Sequence, residues 1–133
     1  MPGPERWLPD ANAILRYLLE DHPELSIQTR EFWEAVRDGS RTATLREGVL
    51  LECVYVLQRF YKVPRAAIAG QLRGLLAYKG LVAQDRDLFD LSLELYGREN
   101  LDYVDCLLAM SELRGGGRVF TFDEKLKKVR GRA

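Results

Sequence analysis

Residues that bind zinc or form cross-links are scarce in this sequence, which has two cysteines and one histidine. Cys53 and Cys106 each lie within an apolar run, and neither belongs to a CxxC pair. We therefore expect buried, reduced thiols and neither a zinc site nor a disulfide framework. His22 follows the first predicted helix, where we expect a solvated loop residue.

Long hydrophobic runs are also missing. No stretch approaches the roughly 18 uninterrupted apolar residues that a membrane-spanning helix needs. Residues 1–10 lack the basic segment and long apolar core of a secretory signal, so we expect a cytoplasmic protein without a membrane partner.

The chain has no excess of either charge, because 20 Lys and Arg balance 20 Asp and Glu. This balance argues against binding nucleic acid by bulk electrostatics, although bound metal ions and a local basic patch could still hold an RNA backbone. The 133 residues, 47% of them hydrophobic, predict one globular domain spanning residues 1–133. No repeat or linker divides them.

Helical and strand-like segments alternate along the chain. The predicted strands are Arg6–Leu8, Arg41–Thr44, Leu81–Ala83 and Arg118–Phe122. The predicted helices are Ala11–Glu20, Gln28–Arg37, Glu47–Phe60, Pro64–Tyr78, Asp87–Gly97, Tyr103–Leu113 and Glu124–Val129. The alternation predicts a layered α/β fold with a parallel sheet, whose functional crevice lies at the carboxyl ends of the strands.

Two aspartates directly follow predicted strands and so lie at that edge. Asp10 comes after the first strand and Asp123 after the last. Each could equally cap the helix that follows it, because aspartate is a favoured N-cap residue. Asp102 and Asp105 also allow two interpretations. Asp102 could cap a helix whose first turn carries Asp105, an acid favoured there by the helix dipole, or the two carboxylates could share one site.

Glu52 lies in a segment that is apolar on almost every side, which predicts a largely buried helix. A buried carboxylate costs several kcal/mol unless it is paired or binds a metal. A distant arginine or a metal ion could satisfy it. Several acids without histidine or cysteine favour Mg²⁺ or Mn²⁺, which prefer oxygen ligands and neutralise the repulsion between carboxylates.

Four segments resemble the motifs of the PIN-domain family in order and spacing. Pro9–Leu19 (PDANAILRYLL) resembles the opening Leu-Asp-Thr-Asn motif, and Leu51–Leu57 (LECVYVL) resembles the helix that carries the second acid. Leu101–Ala109 (LDYVDCLLA) is similar to the Asp-Phe-x-Asp-Ala-Leu-Ile segment, and Val119–Lys125 (VFTFDEK) to the Thr-Phe-Asp segment. The similarity runs from Trp7 to about Lys128 and is greatest to VapC-type toxins.

The resemblance implies a three-layer α/β/α fold with a short central parallel sheet of four or five strands. It implies a catalytic, metal-binding site made of Asp10, Glu52, Asp105 and Asp123. Asn12 and Thr121 would orient these carboxylates, Asp102 is a secondary candidate, and Arg16 is a nearby cation. Two departures from the family pattern occur: Ala11 replaces a Thr or Ser, and little chain remains for a fifth strand.

The function implied is that of an endoribonuclease using one or two Mg²⁺ or Mn²⁺ ions, about 4 Å apart if there are two. Water would attack the phosphorus in line and leave a 5′-phosphate and a 3′-hydroxyl. The resemblance further implies a homodimer and a small antitoxin partner. We expect the antitoxin helix in a groove near the first two helices and Leu45–Tyr61.

Two alternatives remain open from the sequence. The first is a PIN fold without catalytic activity that binds RNA or a protein, which divalent-metal binding would distinguish. The second is a phosphate-accepting receiver-like domain. That class has two acids after its first strand, whereas this chain has one.

Overall fold

The computed structural model describes residues 5–20 and 23–130. His22, expected to be a loop residue, lies outside them. The strands are β1 (Arg6–Trp7), β2 (Thr42–Leu45) and β3 (Leu81–Ala83). The helices are α1 (Ala11–Leu19), α2 (Pro23–Asp38), α3 (Glu47–Arg59), α4 (Arg65–Leu76), α5 (Arg86–Arg98), α6 (Tyr103–Leu113) and α7 (Glu124–Arg130).

The three strands form a small parallel sheet in the order β1-β2-β3, with β2 in the centre. Trp7 pairs with Ala43, which in turn pairs with Leu81. Ala43 and Leu45 are buried on the central strand. This helix-rich α/β fold confirms the predicted fold class, while the three-layer arrangement stays a prediction.

The prediction of a fourth strand at Arg118–Phe122 is wrong, because this segment is not a strand. In the part of the chain that the structure describes, the sheet has three strands instead of four or five. The backbone N–H of Val119 donates to the Glu112 carboxylate on α6, not to a neighbouring strand. Phe120 and Phe122 are 86% and 84% exposed. The segment is therefore tied to α6 and lacks the packing that stabilises a central strand.

Helix α2 begins at Pro23, about five residues earlier than predicted. Proline is tolerated in the first turn of a helix, where its missing N–H removes no hydrogen bond. Trp33 and Val36 on α2 are fully buried.

Close backbone approach fixes the start of β3. Gly80 donates to the carbonyl of Val36 at 2.8 Å and accepts from the N–H of Ala43 at 2.9 Å. A Cβ at this position would overlap the carbonyl oxygen of Arg41. Only glycine therefore fits between α2 and β2 here.

The core is formed by one face of each of the longer helices. Leu50, Cys53, Val54 and Leu57 are buried on α3, while its opposite face is exposed. The prediction that α3 is largely buried is therefore wrong. The core also contains Ile14 and Leu15 of α1, Ile68, Leu72 and Leu76 of α4, Phe89 and Tyr96 of α5, and Cys106 and Met110 of α6.

Helix α3 packs against α1, α4 and α6, and α6 packs against α5 and α7. This chain of contacts brings together the four elements that carry the predicted acids. Within the described ranges, no helix has the length and apolar character required to cross a bilayer.

Candidate functional site

Asp10 lies at the N-terminus of α1, three residues after β1 ends. Its Oδ1 accepts a hydrogen bond from the backbone N–H of Ala13 at 2.9 Å. The carboxylate is exposed. Asp10 is therefore a helix cap, as one of the two interpretations predicted, and this bond uses one of its two oxygens.

Glu52 is exposed on α3, which contradicts the prediction that it is buried. The physical reason is helical geometry: Leu50, Cys53 and Leu57 turn into the core, and Glu52 lies outside that stripe. The inference that its burial required a metal or an arginine therefore fails. Whether Glu52 is a metal ligand therefore depends on which residues lie near it.

A small cavity of about 130 Å³ lies between α1 and α3. Glu52 lines it together with Asn12 and Arg16 of α1, so two of the predicted supporting residues lie beside this acid. Tyr61 also lines the cavity.

The buried thiol of Cys53 lies near both Asp10 and Glu52. It donates to the carbonyl oxygen of Ala11, with 4.0 Å between sulfur and oxygen. Burial, and then the negative charges of Glu52 and Asp10, raise the pKa of Cys53 to about 12. These two predicted acids thus form one group at the contact of α1 and α3.

Asp102 and Asp105 lie at the start of α6. Asp102 occupies the N-cap position, but its side chain makes no capping hydrogen bond. Asp105 is partly buried in the first turn. Burial raises the pKa of Asp105 above its ordinary value of 3.8, and the charges of Asp102 and Asp123 raise it further. These three acids form a second group.

Asp123 caps α7. Its Oδ1 accepts from the backbone N–H groups of Lys125 at 2.8 Å and Leu126 at 3.3 Å. Thr121 Oγ1 accepts from the backbone N–H of Asp123 at 3.0 Å. The contact of Thr121 is thus with the backbone of Asp123, which holds the residue at the start of the helix.

By their electrostatic effects the acids fall into two groups, because Asp10 and Glu52 both act on Cys53 while Asp102 and Asp123 both act on Asp105. Among residues 5–20 and 23–130, however, no three potential ligands are close enough to hold a metal ion as placed. The chemistry of the set nevertheless fits a hard cation. All the donors are carboxylate oxygens, and burial, followed by the negative charges of Asp102 and Asp123, raises the pKa of Asp105.

The model of one protein family, the PIN domain, matches residues 7–132. The chain belongs to the PIN domain family. Members of this family are generally nucleases. Comparison with curated proteins and with solved structures gives no significant match.

Sequence reasoning missed side chains that lie near Asp102 in this PIN domain. Tyr55 and Arg59 follow Glu52 by three and seven residues on α3, and all three are exposed. Their helical spacing could have revealed a shared exposed face. The apolar residues around them instead indicated that the whole helix is buried. Arg65 was also missed. It donates to the carbonyls of Tyr96 and Leu101, just before Asp102.

Proposed function

We propose that this PIN domain is a Mg²⁺- or Mn²⁺-dependent endoribonuclease whose site consists of Asp10, Glu52, Asp105 and Asp123. The observation that supports it best is the environment of Asp105. Its carboxyl is partly buried and faces further negative charge from Asp102 and Asp123. Such an arrangement weakens the folded state at neutral pH unless a cation binds, which is typical of functional sites.

The chain's own residues would have distinct tasks in this reaction. The four carboxylates would hold the metal, while the capping bonds to Asp10 and Asp123 fix two of them by one oxygen each. When bound, the metal would lower the pKa of a water molecule and neutralise charge at the scissile phosphate.

Arg16, which lines the cavity with Glu52, would bind a phosphate oxygen of the RNA. Asn12 would orient the Glu52 carboxylate from the same cavity. Attack by water leaves a 5′-phosphate and a 3′-hydroxyl, because the ribose 2′-OH takes no part.

The test is cleavage of a fluorogenic single-stranded RNA by the purified full chain with Mn²⁺ or Mg²⁺. An EDTA control and the Asp105→Asn variant accompany it. We expect cleavage that requires metal and disappears in the variant. Failure of well-folded protein to cut varied RNAs would favour the second candidate, a PIN domain that binds without catalysis. The observation that favours this candidate is that no three potential ligands among the described residues are close enough to hold a metal ion.

We further propose that the enzyme is the toxin of a toxin–antitoxin pair. A largely apolar groove of about 370 Å³ runs between the β1–α1 connection and α2 and includes Asp10. Trp7, Leu8, Phe32 and Trp33 line it. An amphipathic helix of an antitoxin would fit its apolar side chains there and direct a basic residue toward Asp10. Inhibition that survives truncation of the partner's C-terminal segment would contradict this role.

A homodimer is the third part of the proposal. Leu108 and Phe120 line one shallow groove, and Phe120 contacts Phe122 edge-on at 5.3 Å between ring centroids. Exposed apolar groups in contact mark interaction surfaces. We expect the double substitution Phe120→Ser and Phe122→Ser to produce monomers in analytical ultracentrifugation. A wild-type chain that is already monomeric would contradict the proposal.

A further inference from the structure

An exposed stripe on α3 extends from the predicted metal ligand Glu52 toward the helix C-terminus. Tyr55 and Arg59 lie three and seven residues after Glu52, so the helical repeat places all three side chains on one face. Tyr55 is 55% exposed.

Two neighbours hold the Tyr55 ring. Phe60 packs edge-on against it, at 6.5 Å between centroids and 73° between planes. The guanidinium of Arg59 lies 5.7 Å from the ring centroid. Tyr55 is thus an ordered aromatic surface with a positive charge beside it, and both groups are accessible.

A groove of about 460 Å³ opens beside this ring, between α3 and the start of α6. Its α3 wall includes Tyr55, Gln58 and Arg59, and its α6 wall includes Asp102 and Val104. The groove therefore leads from the helix that carries Glu52 to the first turn that carries Asp105. Its volume lies within the range of about 300–1,000 Å³ found for small-ligand sites.

The groove also contains hydrogen-bonding groups. The Tyr96 hydroxyl donates to Gln58 Oε1 at 2.7 Å, which fixes the Gln58 amide. The Asp102 carboxylate makes no capping bond to α6, although it occupies the N-cap position. An amide and a carboxylate can together bind the edge of a nucleobase.

An aromatic face, a guanidinium and hydrogen-bonding groups are the combination that recognises unpaired nucleotides. Asp102 in the groove argues against a protein partner, because aspartate is depleted in protein–protein interfaces. We propose that this groove binds one unpaired nucleotide of the RNA substrate. The base stacks on Tyr55 and meets Asp102 at its edge, while Arg59 pairs with the adjacent phosphate. The proposal rests on the proposed nuclease function and names single-stranded RNA as its substrate class.

The test measures binding of a short fluorescent single-stranded RNA by anisotropy, in Mg²⁺, with the full chain carrying Asp105→Asn to prevent cleavage. Tyr55→Leu keeps an apolar side chain but removes the stacking face, and Tyr55→Trp keeps that face. We expect Leu to raise the Kd about 5- to 140-fold, the range for loss of one base–aromatic stack. Trp should leave the Kd within about twofold.

Arg59→Gln gives a separate readout. It should reduce the slope of log Kd against log salt concentration by about 0.7, the value for one phosphate contact on a single strand. An unchanged slope would overturn the assignment of Arg59. Thermal unfolding of each variant establishes that it is folded.

The outcomes separate this proposal from the nuclease itself. If the wild-type chain cuts RNA and Tyr55→Leu changes neither KM nor Kd, the groove proposal is overturned and the nuclease stands. If no RNA is cut but Tyr55→Leu weakens RNA binding and Tyr55→Trp does not, the groove proposal stands alone. Equal loss with Leu and Trp, or a changed oligomeric state with unchanged RNA affinity, overturns the groove proposal.

Discussion

The Cys53 thiol donates a hydrogen bond to the carbonyl oxygen of Ala11, with 4.0 Å between the two atoms. Each of these residues directly follows a predicted metal ligand, Glu52 on α3 and Asp10 at the start of α1. The contact therefore sets how the two acids approach each other. Cys53 is fully buried, and so is Cys106 on α6, beside Asp105.

Both thiols should be unreactive in the folded protein. Burial is the main cause that raises the pKa of Cys53 and of Cys106 to about 12, so almost no thiolate exists at pH 8. We expect a colorimetric thiol reagent to label neither cysteine in native protein and both in guanidinium chloride. Rapid labelling of native protein would show that the contact between α1 and α3 opens readily.

The same thiols should make stability depend on alkaline pH. Unfolded thiols lose their protons near the ordinary pKa of 9.0, whereas the folded ones keep theirs up to about 12. The folded state then binds more protons, so stability present below pH 9 is lost as pH rises from 9 to 12.

The variant Cys53→Ser removes one titrating group and tests this dependence. The free energy of unfolding should fall less steeply in the variant, by about 1.4 kcal/mol per pH unit within this window. Tyr17, Tyr96 and Tyr103 also have a raised pKa, chiefly through burial, so some slope should persist. Identical slopes in the two proteins would contradict the assignment to Cys53.

Arg65 should stabilise the segment that leads into α6. Its guanidinium lies 3.9 Å from the centroid of the Tyr96 ring, and it donates to the carbonyls of Tyr96 and Leu101. Lysine cannot reproduce this planar, forked arrangement. We expect Arg65→Lys to lower the free energy of unfolding by about 1.5–3 kcal/mol in urea denaturation, as for hydrogen bonds from charged groups.

Arg73→Lys is the matched control. Arg73 pairs with Asp90 at 2.9 Å, but both side chains are more than one-third exposed. The control should cost less than about 1 kcal/mol. Equal losses in the two variants would show that the Arg65 contacts stabilise the protein no more than an exposed ion pair does.

Much of the fold follows from local patterns, and the failures have identifiable physical causes. Helix α6 and strand β3 have the predicted bounds, because glycines and apolar runs delimit them clearly. The predicted strand Arg118–Phe122 fails because its β-forming residues pack against no sheet, and Glu112 takes the N–H of Val119. Tertiary contacts of this kind leave no trace in the local sequence.

The candidate site divides in a similar way. The positions of Asp10 and Asp123 after predicted strands offered a helix cap as one of two interpretations, and both residues cap helices. The prediction that Glu52 is buried was wrong, because an apolar composition does not show which face of α3 meets the core. The groove beside Tyr55 depends on the packing of α3 against α6, which no single segment encodes.

Asp105→Asn should abolish cleavage without weakening the fold. Burial, then Asp102 and Asp123, raise the pKa of Asp105 above 3.8, so the folded protein loses stability as pH rises past that value. The amide avoids this loss. We expect more than about a 100-fold fall in kcat/KM, beyond the 10- to 100-fold typical of groups that support metal ligands. The melting temperature at pH 7 should be at least that of the wild type.

Asp90→Asn serves as the control for that experiment, since Asp90 pairs with Arg73 and is not one of the proposed metal ligands. It should leave cleavage unchanged and lower the melting temperature slightly. An Asp105→Asn protein that melts well below the wild type would indicate a structural role for this residue.

The central claim is that Asp10, Glu52, Asp105 and Asp123 act as one metal site, and Mn²⁺ titration by calorimetry tests it most directly. The wild-type chain should bind Mn²⁺ saturably. Single replacements of Asp10 or Glu52 in one group, and of Asp105 or Asp123 in the other, should each weaken that binding at least tenfold. Binding that survives replacements in either group, or no saturable binding by the wild type, would contradict the account.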